Sequence, residues 1–337
     1  MIWAPWLAAI RTSHTLQITD HAMASGLFCV AGKNVLVTGG TRGIGYMIAS
    51  TFVEHGANVL ITSRDPKACE EAASSLLALR RHAPASASSP HVHHVPSNVS
   101  TREGCKALAS HVRDVFSGRL DVLVNNAGTS WGEDPGYDPD SRESGRMNWG
   151  WDKVLDLNVK GLFYLTRECV PMLQRRGEVD DDASSSSSSS SHSHASDPGR
   201  IINVGSVTGL MPQDAPTHAY DVSKAAVHHL TKKLASDLAP RGITVNAIAP
   251  GYLFTRMSKG LLSTWATTTT KNDIDGSDGG GSKTGRVPIP LGRMGNGDDM
   301  GGACIYLSSR AGSWITGVIL TVDGGLVGAA RIPLSNL

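Results

Sequence analysis

The feature that most constrains the fold is a regular alternation of short apolar runs with longer segments of helical periodicity. The runs are five or six residues long, and most are rich in Val, Ile and Leu. Such runs are typical of strands in a parallel sheet that is covered on both faces. Since strand–helix–strand crossovers are right-handed, we expect an α/β protein with a doubly wound parallel sheet of about seven strands. The predicted strands are 34–38, 58–62, 91–96, 121–125, 200–204, 243–248 and 318–322, and the predicted helices are 44–54, 66–81, 101–116, 151–176, 219–238 and 298–308.

One domain accounts for most of the chain, and two polar inserts interrupt it. The first insert carries an acidic patch and an uninterrupted serine run, Ser184–Ser191, and the second is rich in Thr and Gly. Such segments cannot bury enough apolar surface to offset the entropy of folding, so we expect both to be disordered loops. The expected divisions are an N-terminal extension at 1–30, the domain at 31–328 with inserts at 178–198 and 266–285, and a C-terminal tail at 329–337.

Composition argues against several classes of function. The 337 residues include 31 Lys and Arg against 30 Asp and Glu, a formal net charge of +1, so nothing points to nucleic acid or to a membrane surface. No apolar run approaches the roughly 20 residues of a membrane-spanning helix. The five cysteines are far apart and form no C-x-x-C pair, which predicts reduced thiols and no metal site. We expect a cytoplasmic protein, although a weak N-terminal signal leaves a mitochondrial location open. Met1 and Met23 are alternative starting residues of the chain.

The first predicted strand runs into a glycine-rich turn, Thr38-Gly39-Gly40-Thr41-Arg42-Gly43-Ile44-Gly45, which a helix follows. Glycines allow a tight turn, and they let backbone N–H groups approach a pyrophosphate at the positive end of a helix. The place of this turn, early in the chain between a strand and a helix, favours dinucleotide binding over an ordinary connecting turn.

The end of the second predicted strand bears on the choice between NAD and NADP. NAD sites usually place an acidic residue there to bind the ribose 2′-hydroxyl, whereas this chain has Ser63 followed by Arg64. A guanidinium can hold the 2′-phosphate of NADP with charge-assisted hydrogen bonds, and Arg42 in the glycine turn can reach the same phosphate. The alternative is that both arginines pair with carboxylates, and Asp65 is a ready partner. We expect NADP(H) as the cofactor.

Five further motifs follow the glycine turn, whose spacing is T-G-x-x-x-G-x-G rather than G-x-G-x-x-G. They are Asn125-Asn126-Ala127-Gly128, Asn158 in L-N-V-K-G, Ser206, Tyr220-x-x-x-Lys224 and Pro250-Gly251. With these motifs in this order, the chain resembles the short-chain dehydrogenase/reductase family over about residues 30–326. The resemblance implies a single Rossmann-fold domain that uses a nicotinamide cofactor to interconvert an alcohol and a carbonyl compound.

Tyr220 and Lys224 are four residues apart on a predicted helix and therefore share a face. A phenol ionises at about pH 10, and a nearby ammonium lowers its pKa, so the pair can exchange a proton with a substrate oxygen. An isolated Y-x-x-x-K is more often an exposed helix pair, but here Ser206 follows a buried strand and would hydrogen-bond the substrate carbonyl. The resemblance implies that Lys224 also binds the nicotinamide ribose, and that Asn158 holds a water linking Lys224 to solvent. The alternative for Asn158 is a polar residue that bends its helix.

The candidate site residues fall into a catalytic and a cofactor-binding group, and no metal site is expected. The catalytic candidates are Ser206, Tyr220, Lys224 and Asn158. The cofactor-binding candidates are Gly39, Thr41, Arg42, Gly43, Ile44, Gly45, Ser63, Arg64, Asn98, Val99, Asn126, Ala127, Gly128, Tyr220, Lys224, Pro250, Gly251, Leu253 and Thr255. Asn98 stands where the family usually has Asp, so its amide oxygen is expected to accept from the adenine amino group without the help of a charge.

Within the family, the chain resembles the 3-oxoacyl-(acyl-carrier-protein) reductases, especially the type linked to rhamnolipid synthesis. The shared stretches are Asn125–Gly132 (NNAGTSWG), Pro288–Met294 and Thr316–Gly325. This resemblance implies NADPH-dependent reduction of a ketone, such as a 3-oxoacyl thioester on acyl-carrier protein or CoA, with the proton from Tyr220. It also implies a homotetramer or dimer formed through helices 151–176 and 219–238. The alternatives are an oxidative alcohol, polyol or steroid dehydrogenase, a non-catalytic NADP-binding member, and a protein whose serine-rich insert is an interaction tract.

Overall fold

The computed structural model describes residues 26–79, 91–132, 147–174, 197–213, 215–255 and 289–329. Each predicted strand is present, as β1 (Asn34–Thr38), β2 (Asn58–Ser63), β3 (Val92–Pro96), β4 (Val122–Asn125), β5 (Gly199–Val204), β6 (Ile243–Pro250) and β7 (Ile319–Val322). The helices are α1 (Gly43–Glu54), α2 (Pro66–Leu79), α3 (Arg102–Val115), α4 (Met147–Leu155), α5 (Leu162–Leu173), α6 (His218–Leu238) and α7 (Gly297–Ser308).

The strands form one parallel sheet in the order β3-β2-β1-β4-β5-β6-β7. This order confirms the expected doubly wound α/β fold. The chain moves outward from β1 to β3, then returns to place β4 on the other side of β1. Ligands of such sheets bind where the order reverses, outside the carboxyl ends of the strands. The ends of β1, β2, β4, β5 and β6 therefore meet at one edge of the sheet.

Alternate residues of each strand supply the core on the two faces of the sheet. On β1, Val35 and Val37 belong to the cluster that packs under α1, α2 and α7, whereas Leu36 belongs to the cluster under α3, α5 and α6. Because successive side chains of a strand point to opposite faces of the sheet, a short run of apolar residues contributes to the hydrophobic core on both faces. The chain before β5 is anchored by Arg200, whose side chain is 1% exposed and donates to Asp197 Oδ1 at 2.7 Å and to the Ser309 carbonyl at 3.1 Å.

The helix predicted at 151–176 differs from the observed element. The structure has α4 from Met147, a π-helical segment at Asp156–Gly161, and then α5. The wider π turn accompanies a close approach to the segment after β3, because a Cβ on Gly161 would collide with the Val99 carbonyl. This contact depends on tertiary packing, which apolar periodicity does not report.

Several expectations concern residues that the structure does not describe. These are residues 1–25 of the extension, the insert at 266–285, the insert at 178–198 apart from Asp197 and Pro198, and the tail from residue 330. The divisions of the chain thus stay predictions. No helix in the described ranges combines the length and apolar character that crossing a membrane requires.

Candidate active site

The glycine turn lies between β1 and α1 and leaves the first turn of α1 open. Gly39 and Gly43 have φ angles of 64° and 56°, a region that glycine enters without steric cost. The N–H of Gly39 donates to the Thr62 carbonyl at 2.8 Å, which holds the turn against the end of β2. Arg42 is the N-cap of α1, and its side chain makes no capping hydrogen bond. The N-terminal amides of α1 thus retain their capacity to bind an anion, and the turn fits the pyrophosphate of a dinucleotide.

A second turn, after β4, is fastened to the glycine turn. The Thr38 hydroxyl accepts from the N–H groups of Asn126 and Ala127, both at 2.9 Å. Asn126 Nδ2 donates to the carbonyls of Thr38 and Gly39 at 2.8 and 3.2 Å. A Cβ on Gly45 would collide with Asn126 Nδ2, so a larger residue there would separate the two turns. The structure therefore brings both groups of predicted cofactor residues together at the reversal point of the sheet.

Two exposed arginines lie at the end of β2 and in the adjoining glycine turn. Ser63 ends β2, Arg64 follows it, and Arg42 precedes α1. Asp65, the expected competitor, instead caps α2, because its Oδ1 accepts from the N–H groups of residues 67 and 68 at 3.0 and 3.3 Å. Among the described residues neither arginine forms an ion pair. Both guanidinium groups are thus open to an anionic ligand.

Asn98 and Val99 follow β3 and belong to the turn that leads into α3. Asn98 Oδ1 already accepts two hydrogen bonds from Ser100, at 3.2 Å from its N–H and 2.8 Å from its hydroxyl. An adenine amino group would have to compete with these bonds for the same oxygen. Val99 is buried, and its carbonyl lies against Gly161. The expected contact of Asn98 with adenine stays a prediction.

Tyr220 and Lys224 lie on one face of α6, and Ser206 approaches them from the end of β5. The Lys224 ammonium is 5.5 Å from the centroid of the Tyr220 ring. Ser206 is the N-cap of a short 3-10 turn, Val207–Gly209, and its hydroxyl accepts from the Thr208 N–H at 3.2 Å. The same hydroxyl lies within hydrogen-bonding reach of the Tyr220 phenol. The three side chains predicted to act together are therefore neighbours.

The ionisation of Tyr220 differs from the sequence expectation of a lowered pKa. Burial raises the pKa of the phenol above its usual 10, the hydrogen bond from Ser206 lowers it, and the Asp221 charge raises it. The net shift is upward, because the loss of solvent around the buried phenol outweighs the Ser206 hydrogen bond. Tyr220 is thus a neutral phenol at neutral pH and carries the proton that an acid catalyst must give.

Lys224 is buried and held by the backbone of β5. Its side chain is 5% exposed, and Nζ donates to the Val204 carbonyl at 2.8 Å. Burial lowers the pKa of Lys224 to about 8. Gly128 is a near neighbour of the ammonium, since a Cβ there would lie 3.7 Å from Nζ and 3.3 Å from Asn158 Oδ1. The ammonium therefore lies between the end of β5 and the turn after β4.

Asn158 lies in the π-helical segment and connects it to two other elements. Its Oδ1 accepts from the Thr129 N–H, and its Nδ2 donates to the Thr129 carbonyl and to Ser223 Oγ, all at 2.9 Å. The Ser223 hydroxyl in turn donates to the Tyr220 carbonyl at 2.6 Å. Both amide hydrogens are engaged within the protein, so the side chain is arranged to position α6 and the turn after β4. Its expected role in holding a water stays a prediction.

The loop after β6 crosses back toward the glycine turn. Pro250 ends β6, and Gly251 lies against Asp323, where a Cβ would be 2.8 Å from Asp323 Cα. Leu253 is buried in the core, and Thr255 Cγ2 would lie 3.8 Å from a Cβ on Gly43. A contact of Leu253 with the nicotinamide must accordingly come from its backbone, whereas Thr255 lies beside the glycine turn.

Similarity to known proteins identifies the family to which this chain belongs. The profile of the short chain dehydrogenase family matches residues 33–265. The chain belongs to the short-chain dehydrogenase/reductase family. It is 35% identical over 298 residues to the rhamnolipids biosynthesis 3-oxoacyl-[acyl-carrier-protein] reductase of Pseudomonas aeruginosa, covering 88% of this chain and 97% of that one. It is 30% identical over 302 residues to the gluconate 5-dehydrogenase of Gluconobacter oxydans, covering 89% and 96%.

Solved structures of this family agree with the fold. The Pseudomonas aeruginosa RhlG/NADP active-site complex superposes with a TM-score of 0.68 at 33% identity, covering 89% of this chain and 98% of that one. A short-chain type dehydrogenase/reductase from Mycobacterium marinum gives a TM-score of 0.68 at 26% identity, covering 90% and 98%. In the part of this family member that the structure describes, no group of three or more His, Cys, Asp or Glu side chains could hold a metal ion.

Sequence reasoning missed several parts of the site, since they act through hydroxyls or peptide groups. Thr38 and Ser223 are side chains that organise it, and the first was visible as the leading letter of the glycine motif. The Val204 carbonyl and the peptide groups of Thr129 carry no sequence signal, because every residue has them.

Proposed function

We propose that this protein reduces a ketone to a secondary alcohol with NADPH, and that its substrate is a 3-oxoacyl thioester carried on acyl-carrier protein or CoA. The observation that carries the proposal is the neutral phenol of Tyr220, placed between the Ser206 hydroxyl and the buried Lys224 ammonium. A neutral acid beside a hydrogen-bond donor and a cation suits the protonation of a carbonyl oxygen that gains negative charge.

Each catalytic side chain has a distinct task in this reaction. The bound cofactor supplies a hydride to the carbonyl carbon. Ser206 donates a hydrogen bond to the carbonyl oxygen, and Tyr220 gives that oxygen its proton. Lys224, 5.5 Å from the phenol ring, stabilises the phenolate that forms and binds the nicotinamide ribose hydroxyls. Asn158 holds the turn after β4 and the start of α6 at a fixed separation.

Preference for NADPH rests on the two arginines beside Ser63. Arg42 and Arg64 are exposed, Asp65 is engaged in capping α2, and the end of β2 offers no acid for a ribose hydroxyl. Two guanidinium groups can bind a 2′-phosphate through charge-assisted hydrogen bonds. The related reductase that is solved with NADP supports the same choice.

An acyl substrate is favoured by the relatives and by the surface next to Ser206. The relatives include 3-oxoacyl-[acyl-carrier-protein] reductases of Pseudomonas aeruginosa and Thermotoga maritima. Leu210 and Met211 follow the Ser206 turn and are 43% and 36% exposed, which provides apolar surface for an acyl chain. Assembly into a homotetramer or dimer through the helical regions 151–176 and 219–238 is part of this proposal, and sedimentation velocity of the purified protein tests the oligomeric state.

An oxidative polyol dehydrogenase is the second candidate, since one relative is a gluconate 5-dehydrogenase. The two candidates differ in cofactor, because a protein that oxidises alcohols in the cell would gain from preferring NAD.

The deciding experiment follows NADPH absorbance with a panel of 3-oxoacyl thioesters and simple ketones, with NADH and Tyr220→Phe as controls. Turnover of a 3-oxoacyl thioester with NADPH that is lost in Tyr220→Phe supports the proposal. Tight NADPH binding without turnover of any panel member would exclude the 3-oxoacyl assignment. Oxidation of gluconate with NAD that is faster than reduction of any panel member with NADPH would favour the second candidate.

A further inference from the structure

A buried histidine lies directly beneath the turn that carries Ser206. His228 is on α6, one helical turn beyond Lys224, and is 5% exposed. Its imidazole fits between Gly205 and Gly209, the residues that bracket the Ser206 turn. A Cβ on Gly209 would lie 2.9 Å from Cε1, and a Cβ on Gly205 would lie 2.7 Å from Cδ2 and collide with Nε2. The ring therefore occupies space that a side chain on Gly205 would fill, and it lies close against Gly209.

At least one ring nitrogen of His228 has no hydrogen-bond partner among the described residues, and the other interacts at most with the Gly209 backbone. Burying a polar atom without a partner costs about 1–3 kcal/mol, so an apolar side chain would be cheaper here if packing were the only requirement. Burial lowers the pKa of His228 to about 4; the Gly209 backbone opposes the shift, and the charges of Lys224 and Lys232 add to it. The imidazole is thus neutral at neutral pH, flat and small enough for the gap.

We propose that His228 is a positioning residue that holds the Ser206 hydroxyl against the Tyr220 phenol by supporting the Gly205–Gly209 turn from below. The backbone of Lys224 and Ala225 also lies against Gly209, 2.6 and 2.7 Å from a Cβ there, whereas the imidazole supplies the closest contacts of Gly205. The inference rests on the proposed function, in which Ser206 contacts the substrate oxygen. A residue that acts only through Ser206 loses its influence once the Ser206 hydroxyl is gone, and this property separates it from a residue that merely stabilises the fold.

The first test is a double-mutant cycle on turnover, with the neighbouring exposed residue as control. We expect His228→Ala to lower kcat at least tenfold with little change in the KM for NADPH, and His229→Ala to change neither. In a Ser206→Ala background, His228→Ala should lower kcat by less than twofold. An equal loss in both backgrounds overturns the proposal. His228→Gln, which keeps size and polarity but not the flat ring, goes through the same cycle if His228→Ala does not fold.

The second test needs no turnover, so it separates this inference from the proposed reaction. The Ser206 hydrogen bond lowers the pKa of Tyr220, and the phenol can be followed by NMR of protein labelled with [13Cζ]tyrosine, with Tyr220→Phe to assign the signal. We expect His228→Ala and Ser206→Ala to raise the Tyr220 pKa equally, and the double variant to raise it no further. An unchanged Tyr220 pKa in His228→Ala overturns the inference, even if the protein proves to be an active ketone reductase. The expected shift in a protein that reduces no ketone would retain the positioning role while the proposed function falls.

Discussion

Asn158 binds Thr129 at both polar atoms of its backbone: Oδ1 accepts the Thr129 N–H and Nδ2 donates to the Thr129 carbonyl, each at 2.9 Å. A single amide side chain thereby fixes the first residue after the Asn-Asn-Ala-Gly turn. Because Asn158 is 2% exposed, water cannot easily replace these bonds when the side chain is removed.

We expect Asn158→Ala to lower kcat by as much as about 100-fold, because the turn after β4 loses its fixed distance from α6. The unfolding free energy should fall by about 1–3 kcal/mol, since peptide groups are left buried without partners. Steady-state kinetics and urea denaturation measure the two effects. Ser223→Ala, which removes one of the Asn158 bonds, is the matched variant and should show a smaller loss in both. Wild-type kcat in Asn158→Ala would contradict the positioning role.

Arg42→Ala and Arg64→Ala should each weaken NADPH binding about tenfold, because each removes a charge-assisted contact to the 2′-phosphate. NADH binding should change little, since NADH lacks that phosphate. Isothermal titration calorimetry gives both dissociation constants. Lys67→Ala removes a nearby exposed cation on α2 and serves as the control for a general loss of positive charge. Equal weakening of NADPH and NADH binding would count against the assignment of these arginines.

Lys224→Met should abolish most activity and yet stabilise the fold. The pKa of Lys224 is about 8 in the folded protein and 10.5 in the unfolded chain, so below pH 8 both states are protonated and the full cost of burying the charge is present. Between about pH 8 and 10.5 the unfolded state binds more protons, so this cost shrinks as the pH rises. We therefore expect the stability advantage of Lys224→Met at pH 7 to decline toward pH 10. Urea denaturation at several pH values checks this, and parallel profiles would refute it.

His228 should make the fold sensitive to acid. Its pKa is about 4 in the folded protein and 6.5 in the unfolded chain, so the unfolded state binds more protons as the pH falls between these values and the folded state loses stability. His228→Leu should flatten the decline in unfolding free energy between pH 6.5 and 4.5. His229→Leu, at the exposed neighbouring position, should leave it as in the wild type. Identical acid profiles for His228→Leu and the wild type would rule out a neutral buried imidazole.

Gly205→Ala should destabilise the protein by about 1–3 kcal/mol through overpacking, because the new methyl group would collide with the His228 ring. Gly205→Ala/His228→Ala should recover part of this loss, since the methyl group then enters the space that the ring has left. The atom next closest to the Gly205 Cβ position is the Ile248 carbonyl oxygen, at 3.2 Å, and a shift of a few tenths of an ångström would make room for the methyl group. Additive losses in the double variant, measured by thermal denaturation, would show that ring and glycine do not share this space.

Most of the sheet was predictable from sequence because the central strands β1, β2, β4 and β6 are buried on both faces and are rich in apolar residues. The glycine turn was predictable because tight turning and close backbone approach restrict the residue type, as at Gly39 and Gly45. The π-helical segment at Asp156–Gly161 was not, because it depends on contact between Gly161 and a carbonyl about 60 residues earlier in the chain.

The candidate site was predictable as a set of side chains but not as a set of ionisation states. The spacing of Tyr220 and Lys224 placed them on one helix face, as observed. The expected direction of the phenol pKa was wrong, because the burial that raises this pKa depends on everything packed around α6. The proposed positioning role of His228 could not be predicted from the sequence either, because it depends on contacts with Gly205 and Gly209, which are distant from His228 in the chain.

The site takes many of its supports from peptide groups: the Val204 carbonyl holds Lys224, the Thr129 N–H and carbonyl hold Asn158, and the Tyr220 carbonyl holds Ser223. Peptide groups survive any exchange of side chain except proline. The side chain of Thr129 can thus be exchanged while the two bonds between its peptide groups and Asn158 remain. Sequence change at these supporting positions therefore alters what the side chains contact and leaves the hydrogen bonds of the site in place.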